Sequence, residues 1–104
     1  MKFEKTKTIR GFALNYFYDD YGEKCSLQES SSCEPHIWLG IADPRPIIMC
    51  SNAEKLGVER KAPNGWQDYE IPEEVFIHTR MHLNQRQSIK LAIRLLKFGL
   101  FGKV

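Results

Sequence analysis

Histidine, arginine, tryptophan, serine and cysteine are the side chains with chemical reach in this 104-residue chain, and their spacing decides which chemistry is open to them. His78, Arg80 and His82 alternate with Ile77, Thr79, Met81 and Leu83, so on a strand they share one face. Ser26, Gln28 and Ser30 alternate in the same way against Cys25 and Leu27, and Trp38 stands opposite Ile37, Leu39 and Ile41. If the three strands pair, these polar and aromatic residues merge into one surface. That surface offers an indole for stacking, hydroxyl and amide groups for orientation, and a planar guanidinium matched to phosphate or carboxylate oxygens. The chemistry expected is binding of a small anionic, nucleotide-type ligand. Arg80 would contact its charge, Trp38 would stack on its ring, and Ser26, Gln28 and His82 would orient it, with Ser30 and His78 on the same face.

Catalysis and metal binding find less support. His78 and His82 lie about 13 Å apart on a strand, too far to share one ion. No local spacing sets a carboxylate beside a histidine as a general base, and Cys25 and Ser26 sit in no nucleophile elbow. Glycine-rich phosphate loops, HExxH and EF-hand spacings are absent. Cys25, Cys33 and Cys50 are odd in number and match no CxxC pattern, which favours free thiols over a disulfide framework or a zinc site. We therefore expect no catalytic residue, no metal and no cofactor.

The elements that must position the site follow from periodicity. Phe12, Leu14, Tyr16 and Tyr18 alternate as one strand, Asp19-Asp20-Tyr21-Gly22 is turn chemistry, and Glu23 to Ser31 returns as the second arm of a hairpin. His36 to Ile41 reads as a third strand, Ile47 to Cys50 as a short one after a Pro44/Pro46 turn, and Val75 to Leu83 as the cleanest. Asn84 with Gln87 three residues on predicts a capping box. Ile89, Ala92, Ile93 and Leu96 then recur at helical spacing, and Leu91, Leu95 and Phe98 widen the apolar arc up to Gly99 as the C′ residue. The fold class expected is α+β: a small antiparallel or mixed sheet with one C-terminal amphipathic helix packed on one face, Ile93 in the core.

Length predicts a single domain over 1–104, with 1–10 loosely ordered and the Gly- and Pro-containing stretch 51–74 a long loop. The chain carries neither a signal-peptide pattern nor an apolar run of membrane-spanning length, so an intracellular site without membrane contact is expected. Arg86, Lys90, Arg94 and Lys97 form a basic helix stripe, but the acids elsewhere and a net charge of +2 make nucleic acid a lesser partner. Apolar Leu100, Phe101 and Val104 beyond the helix, together with open sheet edges, predict a homodimer or higher homo-oligomer, whose interface could enclose a small ligand.

The stretches Phe17 to Ser31 (FYDDYGEKCSLQESS), Ile37-Trp38-Leu39-Gly40 and Arg80-Met81-His82-Leu83 resemble a family of small, mostly uncharacterised bacteriophage and prophage proteins. The resemblance extends to Gly65–Glu73 and the terminal helix, while the tail Phe98-Gly99-Leu100-Phe101-Gly102 departs from the threonine-glycine ending of that family. It implies a phage origin and the cytoplasm of an infected bacterial host. A small phage protein without catalytic machinery is expected to act in counter-defence. It would do so by sequestering a nucleotide-type signal, or by covering a host defence protein as anti-CRISPR inhibitors do.

Overall fold

Asp19 closes the hairpin between Ala13–Tyr18 and Lys24–Glu29 by chemistry alone: its Oδ1 accepts from the Tyr21 and Glu23 amides at 2.9 Å each, and Gly22 takes a φ of 83°. An aspartate folding back on amides two and four residues on, followed by a residue at positive φ, reverses the chain without help from distant contacts. The structure, a computed structural model, describes residues Met1–Val104. The chain divides into two compact units, Met1–Ala42 with Thr79–Val104, and Asp43–His78.

The first unit is a five-stranded sheet with a helix. Its strands are β1 (Glu4–Lys7), β2 (Ala13–Tyr18), β3 (Lys24–Glu29), β4 (His36–Ile41) and β7 (Arg80–Asn84), in the order β1-β2-β3-β4-β7. Every pair is antiparallel. Segment 1–10, expected to be loose, instead supplies β1, an edge strand whose side chains are all exposed. Lysines and a glutamate on both faces suit an edge, because they discourage pairing with another chain, and they also erase the alternation that marks a strand. The other clear revision concerns β7, which begins at Arg80 rather than Val75. Its partner β4 ends at Ile41, and Asp43-Pro44 turns away, so residues 75–79 have no ladder to join; Val75 and Phe76 are exposed.

The helix α1 (Gln85–Phe101) starts as its sequence dictates. Gln87 N–H donates to Asn84 Oδ1 at 2.8 Å and Asn84 N–H donates to Gln87 Oε1 at 3.1 Å, a complete capping box. It runs past Gly99 and stops at Gly102, which takes the left-handed φ of 70°. Expected cover of the sheet is not made by this helix. None of its residues is buried, its main packing partner is β7, and Ile93 is 60% exposed instead of lying in the core. The sharp exit from β7 through the Asn84 cap accounts for this, since only Ser88 and Leu91 of α1 become half-buried.

In the second unit β5 (Ile47–Met49) pairs antiparallel with β6 (Trp66–Asp68), and a 3-10 turn covers Cys50–Asn52. The 51–74 stretch is thus a loop with order inside it. Buried Gln67 holds it: its amide nitrogen donates to Glu59 O at 3.0 Å and its Oε1 accepts from Lys61 N–H at 3.1 Å, so no polar atom of the amide is left unpaired.

Candidate functional site

Register brings the site together. Ser26 lies opposite Gly40 and Gly40 opposite Arg80, while Gln28 lies opposite Trp38 and Trp38 opposite His82. Since directly opposed residues in antiparallel strands point the same way, Ser26, Gln28, Trp38, Arg80 and His82 occupy one face. The other face carries Cys25, Leu27, Ile37, Leu39, Met81 and Leu83.

Side-chain contacts knit that face across three strands. Arg80 Nη1 donates to Gln28 Oε1 at 3.1 Å, spanning from β7 to β3 over the row of β4. His82 Nε2 and Ser30 Oγ are 2.9 Å apart and make the same reach. The His82 ring stacks on Trp38 at 4.1 Å between centroids and on His36 at 4.6 Å, and the Arg80 guanidinium carbon is 5.5 Å from the Trp38 ring centre. His36 is anchored in turn by Nδ1, 2.9 Å from Glu34 O and 3.1 Å from Ser32 Oγ. Arg80 is thus held by one amide contact, with the rest of its planar fork available to an anion.

Gly40 explains why Arg80 can sit there. A Cβ at position 40 would fall 2.7 Å from Arg80 Cα and collide with the Thr79 carbonyl oxygen, so only glycine lets β7 approach this closely. Thr79 Oγ1 donates to Ile41 O at 3.1 Å and pins the start of the strand. Beside Trp38 opens a cleft of about 310 Å³ lined by Thr8, Arg10, Phe12, Gln28, Ser31 and Trp38. That volume is at the lower end for small-ligand sites. Arg10 lies over the Phe12 ring at 5.4 Å and adds a second cation to the cleft wall.

Two expected members depart from this arrangement. His78 is exposed, belongs to the second unit and lies outside β7, so the sheet does not gather it with Arg80 and His82; without a ladder at 75–79 its strand alternation does not hold. Ser26 is on the right face but only 2% exposed, and its Oγ is the one buried side-chain oxygen without a hydrogen-bond partner. It forms floor beneath the face rather than surface. Three residues were missed. His36 was legible, being two positions from Trp38 on the same strand, and Phe12 stood in the alternation with Leu14, whereas Arg10 comes from a turn set by Thr8 Oγ1 accepting from Phe12 N–H at 3.0 Å, and no periodicity marks it.

Burial, and secondarily the charges of Asp19 and Glu23, push the Cys25 thiol up from its ordinary range, which makes it a poor nucleophile. Cys33 is exposed, and all three cysteines are free. No three His, Cys, Asp or Glu side chains gather as metal ligands, and no helix is long and apolar enough to cross a membrane. No protein-family model, curated protein or solved structure matches the chain.

Proposed function

We propose that this chain is a non-catalytic binding protein that sequesters a small anionic, nucleotide-type ligand on the Trp38–Arg80 face. One observation carries the reading: a guanidinium, an indole, an imidazole and an amide from three strands converge, bound to one another and to no acid, and the indole and the amide also line an open cleft. Arg80 receives the phosphate or carboxylate, with Arg10 as a second cation. Trp38, which lines the cleft and stacks on His82, meets the base. Gln28, His82 and Ser30 orient the ligand, and Ser26 supports them from below. Taken with the phage resemblance, our reading of this activity is counter-defence within an infected bacterial cytoplasm. A homodimer or higher homo-oligomer belongs to the same reading.

Calorimetry against a panel of cyclic and linear nucleotides tests it, each variant being melted first to establish that it folds. Arg80→Lys keeps the charge but loses the fork and should weaken binding on the order of tenfold, about 1.4 kcal/mol, and Trp38→Leu should do likewise. Equal affinity of wild type and folded Arg80→Ala would discard the site. Conversion of a bound nucleotide to product would discard the non-catalytic class. A second reading, inhibition of a host defence protein, draws on the exposed apolar side of α1 and requires a stable complex with a host protein in the absence of small ligand.

A further inference from the structure

We infer that a second copy of this chain completes the fold, the helix of each copy lying over the aliphatic sheet face of the other. Ile89, Ile93, Leu96 and Leu100 recur at steps of four, three and four, the seam spacing of packed helices, and are 62%, 60%, 63% and 66% exposed. On the sheet side Leu27, Ile37, Leu39 and Leu83 are only half-buried and Met81 is 48% exposed. Within this unit the helix is the one element outside the sheet, and its contacts centre on β7. The chain therefore carries two complementary apolar surfaces that it does not bring together itself.

They open onto a common cleft. A wedge of about 600 Å³ lies between Ile37 and Leu83 of the sheet and Ser88 and Ile89 of the helix, its apolar residues set among polar ones such as Glu29 and Gln85. The dimensions agree: 17 residues of helix span about 25 Å, and five strands about 19 Å between outer axes. Seven large apolar side chains between Ile89 and Phe101, each more than half exposed, present on the order of 700 Å². That exceeds the largest apolar patch of most monomers, about 300–600 Å², and approaches the roughly 800 Å² per partner of a stable interface.

Charge decides between a second copy and a lipid surface. Residues 75–104 contain no Asp or Glu, and Arg86, Lys90, Arg94 and Lys97 fill one sector of the helix, which an anionic bilayer would match. Yet a bilayer that takes up the one apolar arc of the helix leaves Leu27, Leu39 and Met81 of the sheet without cover. A second copy covers helix and sheet alike and brings exposed Glu29, on the wall of the wedge, to the basic sector. This interface centres on the face opposite Trp38 and touches the ligand site only at Ser30 and His36, rather than enclosing a ligand between subunits as the sequence suggested.

Light scattering after size exclusion at tens of micromolar should give twice the 12.1 kDa of one chain. Ile93→Glu should yield a monomer with an unchanged circular dichroism spectrum, and Leu96→Ser is a milder probe of the same stripe. Unfolding of both variants beside a dimeric wild type also supports the interface, since an exposed stripe has no contacts within its own chain to lose. A monomeric wild type overturns the inference, as does a folded stripe variant that stays dimeric. A monomer that floats with phosphatidylglycerol vesicles overturns it in favour of lipid. Nucleotide affinity is a separate readout, and because neither Trp38 nor Arg80 lines the wedge, either proposal can fail alone.

Discussion

Gly40→Ala adds one methyl group and should have an effect far beyond its size. The new Cβ meets backbone: Arg80 Cα at 2.7 Å and the Thr79 carbonyl oxygen closer still. No rotamer change relieves a clash with backbone, so β7 must move away from β4. Overpacking of this kind costs about 1–3 kcal/mol, a large share of a typical domain stability of 5–15 kcal/mol. With a urea m value of about 1.5 kcal/mol per molar, a loss of about 2 kcal/mol lowers the midpoint by roughly 1.3 M. Trp38 sits on β4 itself, so its fluorescence in a Trp66→Phe background reports the sheet. The displaced strand also carries Arg80 and His82 away from Gln28 and Trp38, and ligand affinity should fall in parallel. Gly99→Ala is the control, with open space around the site and a helical position, and should be stabilising by about 0.5–1 kcal/mol. If both substitutions shift the midpoint equally, or Gly40→Ala shifts it by less than about 0.3 M, the close approach of β7 is wrong.

Asn84→Ala removes the capping box and should lower stability by about 1 kcal/mol in urea melts, with helical ellipticity falling first. Ser26→Ala removes a buried hydroxyl that has no partner, so stability should hold within about 0.5 kcal/mol or rise; a loss above 1 kcal/mol would reveal a hydrogen bond made through solvent. Maleimide should label Cys33 before the buried Cys25 and Cys50, as read by mass spectrometry of peptides at early times. Because the folded state raises the Cys25 pKa, the unfolded chain loses that proton first. Stability from this group is complete below about pH 8.5 and declines as pH climbs above it, and Cys25→Ala should flatten the alkaline decline.

Alternation was enough to read β2, β3 and β4 and to place Gln28, Trp38, Arg80 and His82 on one face, since those strands carry aliphatic residues on the other side. It failed where polarity or pairing, rather than pattern, sets the strand. Polar β1 hides because an edge need not alternate, and 75–79 alternates without becoming a strand because no partner reaches it. Burial is harder still to see. Ser26 and Gln28 look equivalent in sequence, yet one is floor and the other surface, a difference made by the strands on either side. The α1 apolar arc was legible, but an arc says only that something must cover it, not whether the cover comes from the same chain.

The segment Asp43–His78 enters and leaves the first unit between two adjacent strands, and Thr79 Oγ1 meets Ile41 O where its ends come together. About 36 residues thus occupy a connection that a hairpin turn of four could make. Closing the longer loop costs only about 2 kcal/mol more, a small charge for a whole extra module. Such a junction is permissive over evolutionary time: the insert can lengthen, shrink or be exchanged while β4 and β7 keep their register. Related chains should therefore differ most in length between Ala42 and Thr79, and a chain with a short turn there should still assemble the five strands, and assemble them sooner.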